Sequence, residues 1–87
     1  MGAQGLQVSS EQTKELILDA IENGLSAKNE RVLFYDGISN FPYVVRHIEK
    51  GAREGEYILS GVADTLKRGR HHVQIELSLN DGTGKFL

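Results

Sequence analysis

The stretch from Tyr43 to Val62, "YVVRHIEKGAREGEYILSGV", decides the fold because its apolar residues fit both a helical and a strand period. On the helical interpretation, Ser39-Asn40 caps a first helix, and Lys67-Arg68-Gly69 is typical of the end of a second. On the strand interpretation, "YVVRHI" and "EYILSGV" are rich in β-branched and aromatic residues and pair across "EKGAREG" as a hairpin. The cap and exit residues favour helices within residues 43–66, and the strand alternative stays open.

The sequence before this stretch predicts a helix followed by a strand. In "SSEQTKELILDAIENG", Ser9 and Gln12 have the spacing of a capping box, and an apolar stripe and a closing Asn-Gly pair follow, which predicts a helix over residues 10–23. The segment "RVLFYDG" is apolar at four successive positions. We therefore expect an internal strand over residues 31–36 with both of its faces covered.

The sequence after the stretch predicts a hairpin. "HVQIELSLNDGTGKFL" alternates apolar and polar residues, which predicts a strand over residues 72–79, and "NDG" is turn chemistry before a return strand at residues 85–87. Because the return strand is short, we expect its edge to stay open and to pair with another chain. The side chains expected to face the core are Val73, Ile75, Leu77 and Leu79.

Together these elements predict an α+β fold in a single domain over residues 1–87, with about three helices packed on a small, mainly antiparallel sheet that ends in a C-terminal β-hairpin. Residues 1–8 are expected to be flexible. The strand alternative gives an N-terminal helix followed by a small Sm-like β-barrel. The segments "LDAIENG", "LFYDG", "YVVRHI" and "GEYILSG" resemble WYL-type small barrels, in which a helix precedes such a barrel. The Trp-Tyr-Leu run and the arginine-bearing last strand of that family are absent, so the resemblance assigns no site residue.

The composition excludes several kinds of site. The chain has 87 residues, a formal net charge of −2 and no cysteine, so it supplies no disulfide, thiolate ligand or cysteine nucleophile, and a cytoplasmic location is expected. No apolar run reaches the roughly 18 residues that a membrane span requires, and we expect no membrane partner. We expect no cofactor and no metal site, because His71 and His72 would point to opposite faces of a strand.

The cluster of candidate binding residues is basic, and it consists of Lys67, Arg68, Arg70, His71 and His72. Such a cluster suits phosphates or a protein partner, and on the helical interpretation the element order resembles a winged helix. The overall acidity and the neighbouring carboxylates favour a non-catalytic regulatory or protein-interaction module that self-associates as a homo-oligomer. The alternative is a nucleic-acid-binding regulator that uses residues 67–72. Asp36, the best candidate for a catalytic base, is more simply a turn residue, so we expect no enzyme.

Overall fold

The chain forms an antiparallel sheet in which each strand pairs with the next one along the sequence. In the computed structural model, which describes residues 5–87, the strands are β1 (Leu6–Val8), β2 (Leu33–Tyr35), β3 (Asn40–Lys50), β4 (Glu56–Thr65), β5 (Gly69–Ser78) and β6 (Thr83–Phe86). Strand β6 also pairs with β1, so the six strands close into a barrel. The α-helix α1 (Glu11–Asn23) and a 3₁₀-helix (Ala27–Arg31) connect β1 to β2. The described residues are thus a single small domain with one α-helix and a closed barrel, which fits the Sm-like alternative.

The deciding stretch is a β-hairpin, so the prediction of helices within residues 43–66 is wrong, and so is the arrangement of three helices on an open sheet. Strands β3 and β4 pair from Tyr43↔Ala63 to Lys50↔Tyr57, with a bulge between Val45 and His47. Every second side chain is buried on β3 before the bulge. The same alternation holds on β4 after Ile58. The physical reason is that β-branched and aromatic side chains fill a half-buried pleated surface well. The residues that resemble helix caps lie instead at the start of β3 and in the connection from β4 to β5.

Closure of the barrel removes the expected open edge. The return strand β6 pairs with β5 on one side and with β1 on the other, where Leu6 lies opposite Gly84. The strand expected at residues 72–79 is confirmed as β5, and its core-facing pattern holds because Ile75 and Leu77 are fully buried and Val73 packs against the core. Of the segment expected to be flexible, residues 1–4 lie outside the described part of the chain, and residues 6–8 form β1.

The helix expected at residues 10–23 is confirmed, although the cap is Ser10, whose hydroxyl accepts a hydrogen bond from the Thr13 amide. Ile17 is fully buried and joins the barrel core, and the hydroxyl of Thr13 accepts a hydrogen bond from the amide of Leu33 at 3.2 Å. These contacts hold α1 against the barrel. The expected strand at residues 31–36 exists as β2, but its outer face is open, since Leu33 and Tyr35 are about 40% exposed.

The topology gives the barrel two unlike ends. At the helix end, α1 and the 3₁₀-helix span the gap between β1 and β2, on the same side as the β3–β4 and β5–β6 turns. At the other end, which we call the mouth, the β2–β3 loop (residues 36–39) and the β4–β5 loop (residues 66–68) lie beside the start of β1 and the end of β6. Within residues 5–87 the structure contains no helix with the length and apolar character needed to cross a membrane.

Candidate functional site

The mouth of the barrel opens into a cleft of 330 Å³. Leu6 and Val73 connect this cleft to the core, and the two mouth loops form its rim. Its volume lies at the small end of the range for ligand sites, which is about 300–1,000 Å³. The apolar side chains that line it are Leu6, Ile38, Leu66, Val73, Phe86 and Leu87.

Both mouth loops present an aliphatic side chain to solvent. Ile38 is 79% exposed at the tip of the β2–β3 loop, and Leu66 is 83% exposed at the tip of the β4–β5 loop. Isolated apolar side chains on a surface are ordinary, but several that line one cleft are typical of a contact site. The mouth therefore contains an apolar surface that no part of residues 5–87 covers.

Local hydrogen bonds fix the conformation of these loops. The carboxylate of Asp36 accepts hydrogen bonds from the amides of Ile38 and Ser39, each at 2.9 Å. On the other loop, the hydroxyl of Thr65 accepts from the amide of Arg68 at 3.2 Å, and Gly69 takes a left-handed conformation with φ of 66°. Because the backbone of each turn is held in place, the exposed side chains are presented in a defined position.

The same hydrogen bonds decide the role of Asp36. The amides of Ser39 and Ile38 hold the pKa of the Asp36 carboxyl below its ordinary value. A general base for chemistry at neutral pH benefits from a raised pKa, and this carboxylate is already engaged in its turn. His47, the histidine nearest to Asp36 in the sequence, lies on the half of β3 that faces the helix end. The structure therefore does not bring a catalytic pair together at Asp36.

The structure divides the basic cluster between two surfaces. Lys67 and Arg68 lie in the β4–β5 loop and His71 points towards the barrel interior, so these three line the mouth cleft. Arg70 and His72 alternate with His71 and point outwards from β5. The cluster is thus not the end of a helix, as the helical interpretation required, because the loop joins two paired strands.

The outer wall beside the mouth carries a second group of basic residues. Arg46 from β3, His72 from β5 and Arg68 from the loop line one groove across the sheet. Arg70 belongs to the same wall, but Asp64 lies directly opposite it on β4. That carboxylate lowers the positive potential at the edge of the groove.

No metal site is visible in the described part of the chain, where no three side chains among histidines and carboxylates come close enough to hold an ion. His71 and His72 point to opposite sides of β5, as the strand alternation predicts. The Nδ1 atom of His71 lies 2.9 Å from the carbonyl oxygen of Gly69, which places the ring against the loop at the edge of the cleft. His71 therefore belongs to the polar rim of the mouth.

Sequence reasoning missed the apolar half of this site. Ile38 stands between turn-forming residues, and an apolar residue at the tip of a hairpin loop is the signal that could have identified it. The helical interpretation of residues 43–66 does not predict the exposure of Leu66, which is the most exposed of the large apolar residues in the described chain.

Comparison of the chain with models of known families, with curated proteins and with solved structures finds no match. The resemblance to WYL-type barrels is therefore limited to the architecture, in which a helix accompanies a small barrel.

Proposed function

We propose that this protein is a non-catalytic interaction module whose mouth cleft binds an apolar segment of another protein chain. The observation that carries the proposal is the pair of exposed aliphatic side chains, Ile38 and Leu66, which line one cleft from two different loops. Burial of an aliphatic side chain that stands in water contributes about 1.5–3 kcal/mol, so these two side chains can supply part of the free energy of binding.

The charges at the mouth favour a partner that carries carboxylates. Lys67 and Arg68 project from the same loop as Leu66, and both are exposed. The Asp36 carboxylate on the opposite rim is occupied by its turn amides. Rim charges of this kind steer the encounter and select the partner more than they add affinity. The occupant we expect is a segment with one or more large apolar residues next to aspartate or glutamate.

A displayed library of random peptides tests this proposal. The wild-type protein and the variant Ile38→Ser/Leu66→Ser are used to select binding peptides in parallel. We expect the wild type to enrich peptides that combine leucine or phenylalanine with carboxylates, and we expect the variant to lose their binding. Both substituted side chains are exposed, so the circular dichroism spectrum should not change.

The matched control is Leu33→Ser, which removes another exposed leucine from the outer face of β2. This variant should bind the selected peptides as the wild type does. Peptides that bind the wild type and Ile38→Ser/Leu66→Ser equally well would refute the mouth as the binding site.

A second candidate function is nucleic-acid binding, and the groove on the outer wall favours it. Arg46 from β3 lies there beside Arg68 and His72, and arginines aligned on a sheet can follow a phosphate backbone. The presence of Asp64 beside this row and the absence of an exposed aromatic side chain in the groove make it the weaker candidate.

Fluorescence anisotropy with labelled single-stranded and duplex oligonucleotides separates the two candidates. If the groove binds nucleic acid, Arg46→Gln/Arg68→Gln should weaken binding to every sequence and reduce the salt dependence by about one slope unit for each phosphate that the variant no longer neutralises. The control Lys50→Gln/Arg53→Gln removes two exposed cations near the helix end. No salt-dependent binding by the wild type would eliminate this candidate and leave the first.

A further inference from the structure

The outer face of α1 is acidic, whereas the mouth cleft is lined by the basic residues Lys67 and Arg68. Helix α1 contains four carboxylates and one lysine. Glu11, Glu15, Leu18 and Glu22 are spaced by four, three and four residues, so they share one side of the helix, and all four are exposed. Leu18 is thus a large apolar side chain, 38% exposed, in the middle of an acidic stripe.

This stripe and the mouth cannot meet within one molecule. Helix α1 spans the helix end of the barrel, and the loops that carry Ile38, Leu66 and Lys67 lie at the opposite end. A contact between the two surfaces is therefore possible only between copies. A contact of two mouths is disfavoured, because it would bring Lys67 and Arg68 of one copy against the same cations of the other.

We infer that the segment bound in the mouth is the outer face of α1 from a second copy of this chain. Leu18 of one copy enters the cleft between Ile38 and Leu66 of the next, and Glu15 and Glu22 lie against Lys67 and Arg68. This inference rests on the proposed function and names its partner. It also gives self-association a basis that does not depend on an open strand edge, which the closed barrel lacks.

A contact of this kind joins two different surfaces, so each copy keeps one mouth and one helix free for further copies. Repetition gives rings if the rotation between copies closes, and open chains if it does not. The average mass of the wild-type protein in solution should therefore rise steadily with concentration and pass the mass of two chains.

Charge reversal tests the inference directly in sedimentation experiments on the full chain. The mouth variant Lys67→Glu/Arg68→Glu and the helix variant Glu15→Lys/Glu22→Lys should each fall to the mass of one chain, 9.6 kDa, because their two surfaces now carry the same sign. An equimolar mixture of the two variants should associate again, because every surface then has an oppositely charged partner. The control Arg53→Glu/Lys85→Glu makes the same change in net charge as the mouth variant at two exposed residues outside the mouth and α1, and it should associate like the wild type.

Any other result contradicts the inference. The combination of results also shows whether the proposed function fails together with it. A wild type that stays at 9.6 kDa at every concentration, or a mixture that stays monomeric, means that α1 is not the occupant. If the mouth still selects acidic apolar peptides that depend on Ile38 and Leu66, the proposed function stands without self-association. If the mouth variant associates as strongly as the wild type and the selected peptides do not depend on the mouth, both are wrong.

Discussion

The connections at the two ends of this barrel both carry aliphatic side chains, but the inner face of α1 is buried whereas the tips of the mouth loops stand in water. Ile17 of α1 is fully buried at the helix end, whereas Leu66 is 83% exposed at the mouth. A chain of 87 residues has a thin margin of stability and few apolar side chains with which to achieve it. The difference teaches that the inner face of α1 serves the fold and that the mouth loops are available for a contact. The predictions below test that division of roles.

The largest difference in stability is expected when one aliphatic side chain is truncated to alanine at each end of the barrel. Ile17→Ala removes a fully buried side chain and should lower the free energy of unfolding by about 2–5 kcal/mol. Leu66→Ala removes a side chain that stands in water and should change the free energy of unfolding by no more than about 0.5 kcal/mol. Urea unfolding followed by circular dichroism measures both. Similar losses for the two variants would mean that the mouth is also part of the core.

A second large effect is expected at Gly61, where β3 and β4 approach closely. A Cβ atom at this position would collide with the carbonyl oxygen of Val44 and would lie 3.1 Å from the ring of Tyr43. Gly61→Ala should therefore cost about 1–3 kcal/mol or more, since the backbone must move to admit it. In thermal unfolding, the control Gly5→Ala should melt like the wild type, because nothing lies within 4 Å of its Cβ. A Gly61→Ala variant that is more stable than the wild type would contradict the hairpin.

A moderate effect is expected at Tyr43, whose buried hydroxyl donates to the carbonyl oxygen of Val73 at 2.8 Å. Tyr43→Phe should lower the free energy of unfolding by about 0.5–1.5 kcal/mol, the usual contribution of such a hydrogen bond. Chemical denaturation at neutral pH compares the two proteins. An unchanged midpoint would show that this hydrogen bond adds nothing to stability.

Burial also makes the contribution of Tyr43 depend on pH. It raises the pKa of the Tyr43 phenol above its ordinary value, because the charged form is costly inside the barrel. The unfolded chain then loses this proton more readily than the folded chain does. Stability should be complete below about pH 10 and should fall as the pH rises above it. Tyr43→Phe should fall less steeply over that range in unfolding curves recorded at increasing pH.

The smallest effect on stability is expected for the cations in and beside the β4–β5 loop. Lys67, Arg68 and Arg70 are exposed and form no ion pair in the described residues. Their joint replacement by glutamine should change the free energy of unfolding by about 0.5 kcal/mol or less. A large drop in the melting temperature would show that these residues hold the β4–β5 loop together and are not reserved for a partner.

Helix α1 and strand β5 could be predicted from the sequence because each has one unambiguous period over ten or more residues. Strands β3 and β4 could not, since their apolar residues also recur at helical spacing and the residues around them resemble helix caps. The closure of the barrel decides between the two, and closure depends on β1 pairing with β6 across most of the chain. No local pattern contains that pairing.

The candidate site was predicted in part for a related reason. A run of cations is visible in any sequence, so Lys67, Arg68 and His71 were found. The cleft beside them is formed by Leu6, Ile38 and Phe86, which come from distant parts of the chain and meet only in the closed barrel. The cluster divides between the mouth and the outer wall because side chains alternate along β5, which begins at Gly69. The helical interpretation starts this strand at residue 72, so it predicts no alternation for Arg70 and His71.

The most direct test of the mouth as the contact surface is a map of amide chemical shifts in ¹H–¹⁵N spectra recorded over a series of protein concentrations. We expect the shifts that change with concentration to fall in two groups, the mouth loops at residues 36–39 and 66–71 and the outer face of α1 around Leu18. Changes confined to the outer wall of β3, β4 and β5, or a spectrum that does not vary with concentration while the mouth binds no selected peptide, would contradict the account.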